Sequence, residues 1–345
     1  MNIDSDWFYT NCPAIDPHWL EQARVHQNSL TKPPGSLGRL EQLAIDFCGW
    51  QSTLKPTCEQ IQITVFAADH GIARQGVSAF PQAVTAQMVL NFLAGGAAIS
   101  VLAKQLNAEF QVVNCGVAEA MADAPGLVNN PIAQGTQDFS QEPAMTKQQC
   151  FAALKLGAEQ VQNSQLFIGG EMGIGNTSAA SAVLSLLLNQ PAAATVGPGT
   201  GLQQDGIIQK QRWVEHSIAR HKPNVETALD VLRCVGGFEI AALVGAYIQS
   251  AQRGIPVLVD GFITTAAALI AVKLNPSVRP WLFFSHQSAE PAHQIALQAM
   301  DAAPLLSLEM RLGEGSGAAM AVSVIQNALC LHNCMATFQQ AGVSQ

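Results

Sequence analysis

Residues 166–180 read Leu-Phe-Ile-Gly-Gly-Glu-Met-Gly-Ile-Gly-Asn-Thr-Ser-Ala-Ala. Three apolar residues suit a short buried strand, the glycines permit a sharp turn or a close approach to a ligand, and Asn176 or Thr177 can cap the small-residue helix that follows. Such a turn presents free backbone N–H groups at the positive end of a helix dipole, which makes it an anion site. Glu171 lies inside the same turn. A carboxylate facing a bare phosphate cradle would repel its ligand, so Glu171 is expected beside a neighbouring, non-phosphate part of a substrate. The pattern is not a P-loop, because Gly175-Asn176-Thr177 stands where Gly-Lys-Thr is needed. It is not the dinucleotide fingerprint either, because residues 173–178 lack the third glycine. Taken alone, the loop could equally do no more than close a βα unit.

The same grammar repeats along the chain. Short apolar runs at 61–67, 110–114, 166–168, 194–196, 257–259 and 281–284 read as strands, and each is followed by a polar or glycine cluster. Helical stretches separate them, among them 85–106, 147–163, 205–221, 237–252 and 264–274. Before the first strand, residues 17–28 can form a helix, Pro33 and Pro34 forbid one, Ser36 can cap a helix over 37–50, and 52–59 reads as a linker. The chain closes with a glycine loop at 312–319 and an apolar helix to about residue 331. Strands alternating with helices predict an α/β fold with a doubly wound, mostly parallel sheet and right-handed crossovers. Every polar cluster then falls at a strand's carboxyl end, where open α/β sheets bind ligands.

Composition narrows the partners. The 345 residues carry a net charge of −8 with no basic run, so nucleic acid and anionic membrane surfaces are not expected partners. An anionic ligand has to be held by local amides. Met1 to Thr10 is polar and acidic, and the apolar stretches at 262–272 and 179–188 are too short to span a bilayer, which points to the cytoplasm. Eight dispersed cysteines suit reduced thiols. Only Cys330-Leu331-His332-Asn333-Cys334 resembles a metal-ligand cluster, and it has no partner pair elsewhere.

Single residues remain open on spacing alone. Glu314, a carboxylate between glycines at a helix start, can complement the helix dipole or serve as a general base. Asp69 and His70 could hold metal in another setting, but without a second acidic cluster a hydrogen-bonding role is expected and no metal is required.

Taken together, Thr31 to Glu41 (TKPPGSLGRLE), Ala68 to Gly71 (ADHG), 76–78, 84–88, Gly170 to Thr177 (GEMGIGNT), Gly197 to Leu202 (GPGTGL), Val259 to Phe262 (VDGF), 285–293 and Arg311 to Gly317 (RLGEGSG) resemble, in order, the nicotinate-nucleotide–dimethylbenzimidazole phosphoribosyltransferase family. The resemblance implies transfer of 5-phosphoribose from nicotinate mononucleotide to 5,6-dimethylbenzimidazole, by single displacement with inversion, in cobalamin nucleotide-loop assembly. It assigns Glu314 as the base and Glu171 as a contact to the acceptor or to the oxocarbenium charge. The phosphoribose and nicotinate are expected on Gly173, Gly175, Asn176, Thr177, Gly199, Thr200, Gly201, Lys210, Asp260 and Ser288, and the benzimidazole on Ser78, Phe80, Gln87, Met172 and Leu312. Capping is the alternative for Ser78 and an exposed helix position for Lys210; His286, Glu290 and His293 are expected near the ribose phosphate, with a core position the alternative for His293. The family also implies a homodimer, no cofactor, an α/β domain over 60–300, and a smaller helical lobe from 1–59 and 301–345. Ala292, where the family usually has Gly, and Ser316, where Thr is commoner, are departures that affect local geometry. A ribosyl transferase using phosphoribosyl pyrophosphate would need adjacent acids after a strand, but Asp260 is followed by Gly261 and Phe262. A non-catalytic nucleotide-binding regulator on the same sheet is the remaining alternative.

Overall fold

The computed structural model describes residues 6–344; the outermost residues of the expected lobe, 1–5 and 345, lie outside the described residues. Helices α1 (Pro17–Ser29) and α2 (Arg39–Gln51) precede β1 (Ile61–Ala68), followed by α3 (Val84–Leu93), α4 (Ala98–Gln105), β2 (Glu109–Gly116) and β3 (Leu127–Asn129). Then come α5 (Lys147–Glu159), β4 (Leu166–Met172), α6 (Asn176–Leu188), α7 (Ala192–Thr195), α8 (Gln204–His221), α9 (Ala228–Val235) and α10 (Phe238–Gln252). The chain ends with β5 (Val257–Val259), α11 (Phe262–Leu274), β6 (Leu282–Phe284), α12 (Pro291–Ala299), α13 (Ser316–Cys334) and α14 (Phe338–Ala341).

The six strands form one all-parallel sheet in the order β3-β2-β1-β4-β5-β6. Central strand β1 is buried along its whole length, with Ile63 paired to Phe110 on one side and Ile168 on the other. A strand covered on both faces reads as a continuous apolar run, which is why 61–67 was legible. The order reverses direction between β1 and β4, so the crevice for a ligand opens at their carboxyl ends. Helix α11 is buried almost all round, which explains its lack of a polar face. On another flank, α10 runs against α5 at glycine contacts: a Cβ at Gly157 would collide with the Ala242 carbonyl and one at Gly245 with that of Leu154.

Several local expectations need correction. Residues 194–196 are not a strand. Ala192–Thr195 make one helical turn after Pro191, an Ala-rich run favours helix, and β4 pairs directly with β5, leaving no gap to fill. The apolar stretch Val84–Gln105 is long enough, by length and composition, to cross a membrane, contrary to the reading of shorter runs. It is not one helix: α3 ends at Leu93, and Gly95, at φ +79°, turns the chain before α4. Ser36 does not cap α2; left-handed Gly38 starts that helix, and the Glu41 carboxylate accepts the Leu37 and Gly35 N–H groups while pairing with Lys32 at 2.7 Å. Helix α5 stops at Glu159, four residues early. At the chain ends, α1, α2 and α13 pack together, and the buried His332 ring meets Gln27 and Cys48. Cys330 and Cys334 face outward on the opposite side of α13, so the three side chains cannot surround one ion.

Candidate active site

At the carboxyl ends of β4 and β5 lies a cavity of about 660 Å³. One wall is the turn between β4 and α6. Gly175, at φ +101°, is the residue that starts α6, so neither Asn176 nor Thr177 caps it. The Asn176 amide closes the turn on the Gly173 carbonyl, and its side chain donates to the Glu171 carboxylate. The turn is held from behind by β1 and α3: Thr85 Oγ1 donates to Asp69 at 2.7 Å and accepts the Ile174 N–H at 3.1 Å. Asp69 also accepts the Ala118 N–H at 2.8 Å, and His70 meets Glu239 at 2.7 Å beneath Gly173 and Gly175. Both residues after β1 thus make buried hydrogen bonds.

Beside this turn, the loop after α7 brings Gly199, Thr200 and Gly201 to the cavity. Lys210, on α8, is fully buried behind it; its ammonium donates to Thr177 Oγ1 at 2.8 Å and to the Gly197 carbonyl at 3.1 Å. Burial lowers its pKa to about 8, with the Glu290 carboxylate pulling the other way. Glu290 accepts the Gly199 N–H at 2.9 Å, and burial raises its pKa. Thr200 in turn hydrogen-bonds Ser78 at 3.1 Å.

The opposite wall is the turn before α13. Gly313, Glu314 and Gly315 all take positive φ, at +86°, +65° and +91°. For a residue with a side chain this conformation costs about 1–3 kcal/mol and persists only where the surroundings enforce it. Here they do: a Cβ at Gly170 would collide with the Glu314 carbonyl, and one at Gly313 with the Glu171 carboxylate. The Glu314 N–H also donates to Glu171. The Glu314 carboxylate reaches the cavity and accepts the Ile99 N–H, in the first turn of α4, at 3.4 Å. Burial raises its pKa and the Asp260 charge adds to the rise, while the Ile99 N–H opposes it. Glu171 is pushed well up, by burial first and then by the Glu239 and Asp260 charges.

Of the residues expected in the site, the cavity wall contains Glu171, Met172, Gly173, Asn176, Thr177, Gly199, Thr200, Gly201, Asp260, His286, Ser288, Glu290, Phe80, Leu312 and Glu314. Gly175 and Lys210 stand behind the wall, Ser78 touches it through Thr200, and Gln87 lies exposed on α3. His293 bonds Thr265 and the Ser288 N–H, and Ala292 is buried in α12. The Ser316 hydroxyl donates back to the Gly313 carbonyl at 2.7 Å, a bond that any small hydroxyl can supply. Sequence reasoning missed Val84, Met88, Ile174, Ile263, Thr264 and Arg311 as wall residues. The spacing of Val84 and Met88, one helical turn apart, was a readable signal. Arg311 is the sole Lys or Arg of the wall and sits three residues before Glu314. The apolar part of the wall, with Phe80, Met88, Met172 and Leu312, suits a flat aromatic group, and the polar part suits a phosphorylated sugar.

A family model for DBI_PRT phosphoribosyltransferases matches residues 12–343. The chain is 52% identical over 343 residues, 98% of each chain, to the nicotinate-nucleotide–dimethylbenzimidazole phosphoribosyltransferase of Pseudomonas putida. It is likewise 52% identical over 347 residues, 99% of each, to the protein of that name from Xanthomonas euvesicatoria. The crystal structure of CobT from Thermus thermophilus superposes with a TM-score of 0.91 at 42% identity, over 95% of this chain and 100% of that one.

Proposed function

The chain belongs to the phosphoribosyltransferase family of those relatives, and from that membership we infer that it transfers 5-phosphoribose from nicotinate mononucleotide to 5,6-dimethylbenzimidazole. The products are nicotinate and α-ribazole 5′-phosphate, for cobalamin biosynthesis. The observation that carries the residue-level reading is the pairing, across one cavity, of a carboxylate on an enforced left-handed turn with a glycine turn at a helix start.

In the proposed chemistry, one ring nitrogen of the benzimidazole attacks C1′ as the bond from C1′ to nicotinate breaks. The bonding pair neutralises the pyridinium, so the leaving group needs no acid. The proton on the acceptor's other nitrogen passes to Glu314, whose raised pKa places it closer to a working base than an ordinary carboxylate. A single displacement inverts the anomeric carbon, and no enzyme nucleophile is formed. Glu171, whose carboxyl is pushed towards its neutral form, contacts the acceptor in this reading, and its hydrogen bonds to Asn176 and the Glu314 N–H tie the two walls together. The 5′-phosphate rests on the turn at 173–177 and the loop at 199–201, with the Lys210 charge behind both. Because the Asn176 N–H is already engaged, Thr177 is the stronger donor candidate of the two.

The wider reading includes a homodimer in the cytoplasm, supported by exposed apolar side chains on α3 and α4: Leu90 is 58% and Val101 55% exposed. Residues 60–300 form the α/β domain of this reading, with 1–59 and 301–345 as the helical lobe. The experiment mixes purified protein, nicotinate mononucleotide and 5,6-dimethylbenzimidazole with EDTA and follows both products by chromatography. Stoichiometric nicotinate and ribazole phosphate are expected; binding of the mononucleotide with no product would overturn either the acceptor or the catalytic reading.

A further inference from the structure

We infer that Asp260 is a positioning residue for the Glu314 turn, holding it by occupying the amino end of α13, and is not a contact to the ribose. The inference rests on Glu314 being the base. Asp260 follows β5 and is 1% exposed. Its Oδ2 accepts the Gly315 N–H at 3.2 Å and its Oδ1 the Ala318 N–H at 2.8 Å. The carboxylate therefore fills the place where an anion would otherwise bind at the start of this 19-residue helix. Both oxygens are engaged by backbone donors that follow Glu314, one of them on Gly315, which itself packs on Gly170 and Ile168 of β4. His286 closes the arrangement: its Nε2 lies 3.7 Å from Asp260 Oδ1, and its ring is wedged so tightly that a Cβ at Gly317 would collide with it.

The physical need is plain. Three successive left-handed residues have no local reason to stay as they are, and a side chain at the middle one disfavours them. Gly170 and Glu171 constrain the turn from β4, and Asp260 constrains it from β5. Relaxation of Gly315 would swing the Glu314 carboxylate away from the acceptor, a misplacement that costs rate more than binding.

The test compares Asp260→Asn, Glu314→Gln and the double variant. Burial, the Ile99 N–H and the Asp260 charge set the direction of the Glu314 titration, and the other charged or titratable groups nearby are Glu171, Arg311 and, beside Asp260, His286. Asp260→Asn is expected to lower kcat tenfold or more with KM for nicotinate mononucleotide within about twofold. Because a like charge is removed, the acid limb of kcat should also move to lower pH. The double variant should be no slower than Glu314→Gln alone, since a residue acting only through Glu314 has nothing further to lose. A large rise in KM with kcat unchanged would make Asp260 a substrate contact and overturn the inference, as would multiplicative losses in the double variant. Amide exchange gives a readout independent of turnover. The Gly315 and Ala318 amides should be protected in the unsubstituted protein and exchange at least tenfold faster in Asp260→Asn. Unprotected amides in the unsubstituted protein would sink the idea even if the variant failed to fold. Should Glu314→Gln retain full turnover, the base reading fails, while exchange still decides whether Asp260 holds the turn.

Discussion

The turn before α6 and the turn before α13 are built alike but place their buried acids differently. Each ends in a left-handed glycine, Gly175 or Gly315, that starts a helix of small residues. Each is backed by a buried acid from another element, Asp69 for the first and Asp260 for the second. The difference is where the acid sits. Asp69 works through Thr85 and holds the Ile174 amide from behind, leaving the start of α6 open to the cavity. Asp260 occupies the start of α13 itself, so that helix receives the protein's own carboxylate and offers Glu314 instead. A helix amino end with its glycine turn is thus a generic device, and the nearest internal carboxylate decides whether it serves a ligand or a side chain.

That contrast breaks most directly at Glu314. Glu314→Gln keeps the shape and loses the base, so kcat should fall at least about 100-fold, with KM for nicotinate mononucleotide changed little, in steady-state assays. Normal turnover would dissolve the distinction between the turns. At the other turn, Thr177→Val removes one of the two acceptors of the Lys210 ammonium and a hydroxyl that could donate to phosphate, while keeping the backbone N–H. KM for nicotinate mononucleotide should rise about tenfold with a smaller change in kcat, the reverse split. Thr85→Val leaves a buried Asp69 oxygen and the Ile174 N–H without partners. It should cost about 1–3 kcal/mol, read as a lower Tm, and loosen mononucleotide binding more than turnover. The smallest effect is in the pH profile. Glu314 must be ionised to accept a proton, and burial raises its pKa, so kcat should be lost as pH falls through a midpoint above the ordinary 4.5. A midpoint at or below 4.5 would contradict the burial that the structure gives this group.

Legibility differed between the two turns for a physical reason. GEMGIGNT was readable as strand, turn and helix because each element depends on neighbours a few residues away: apolar Leu166 to Ile168, then glycines, then small helix formers. Asp260 was expected at the substrate through the family resemblance of Val259 to Phe262, and nothing near it in the chain points to α13. Lys210 could equally have been an exposed helix lysine; only the fold buries it against Gly197. The strand expected at 194–196 failed because local apolarity does not say whether a sheet has room, and β4 already had β5 beside it. The break at Gly95 was visible in the sequence, yet the apolar pattern on both sides outweighed it.

By itself, the order of apolar runs, glycines and helix formers determined the α/β class, the parallel sheet and the family, because strand burial and left-handed turns are consequences of residues close in the chain. The tertiary structure alone decided which amides face the cavity, which acid bonds the turn at Gly315 and which lysine is buried behind Thr177. Those outcomes depend on partners such as Asp260 with Gly315 and Ala318, 55 and 58 residues apart, whose meeting is set by how α13 packs on the sheet.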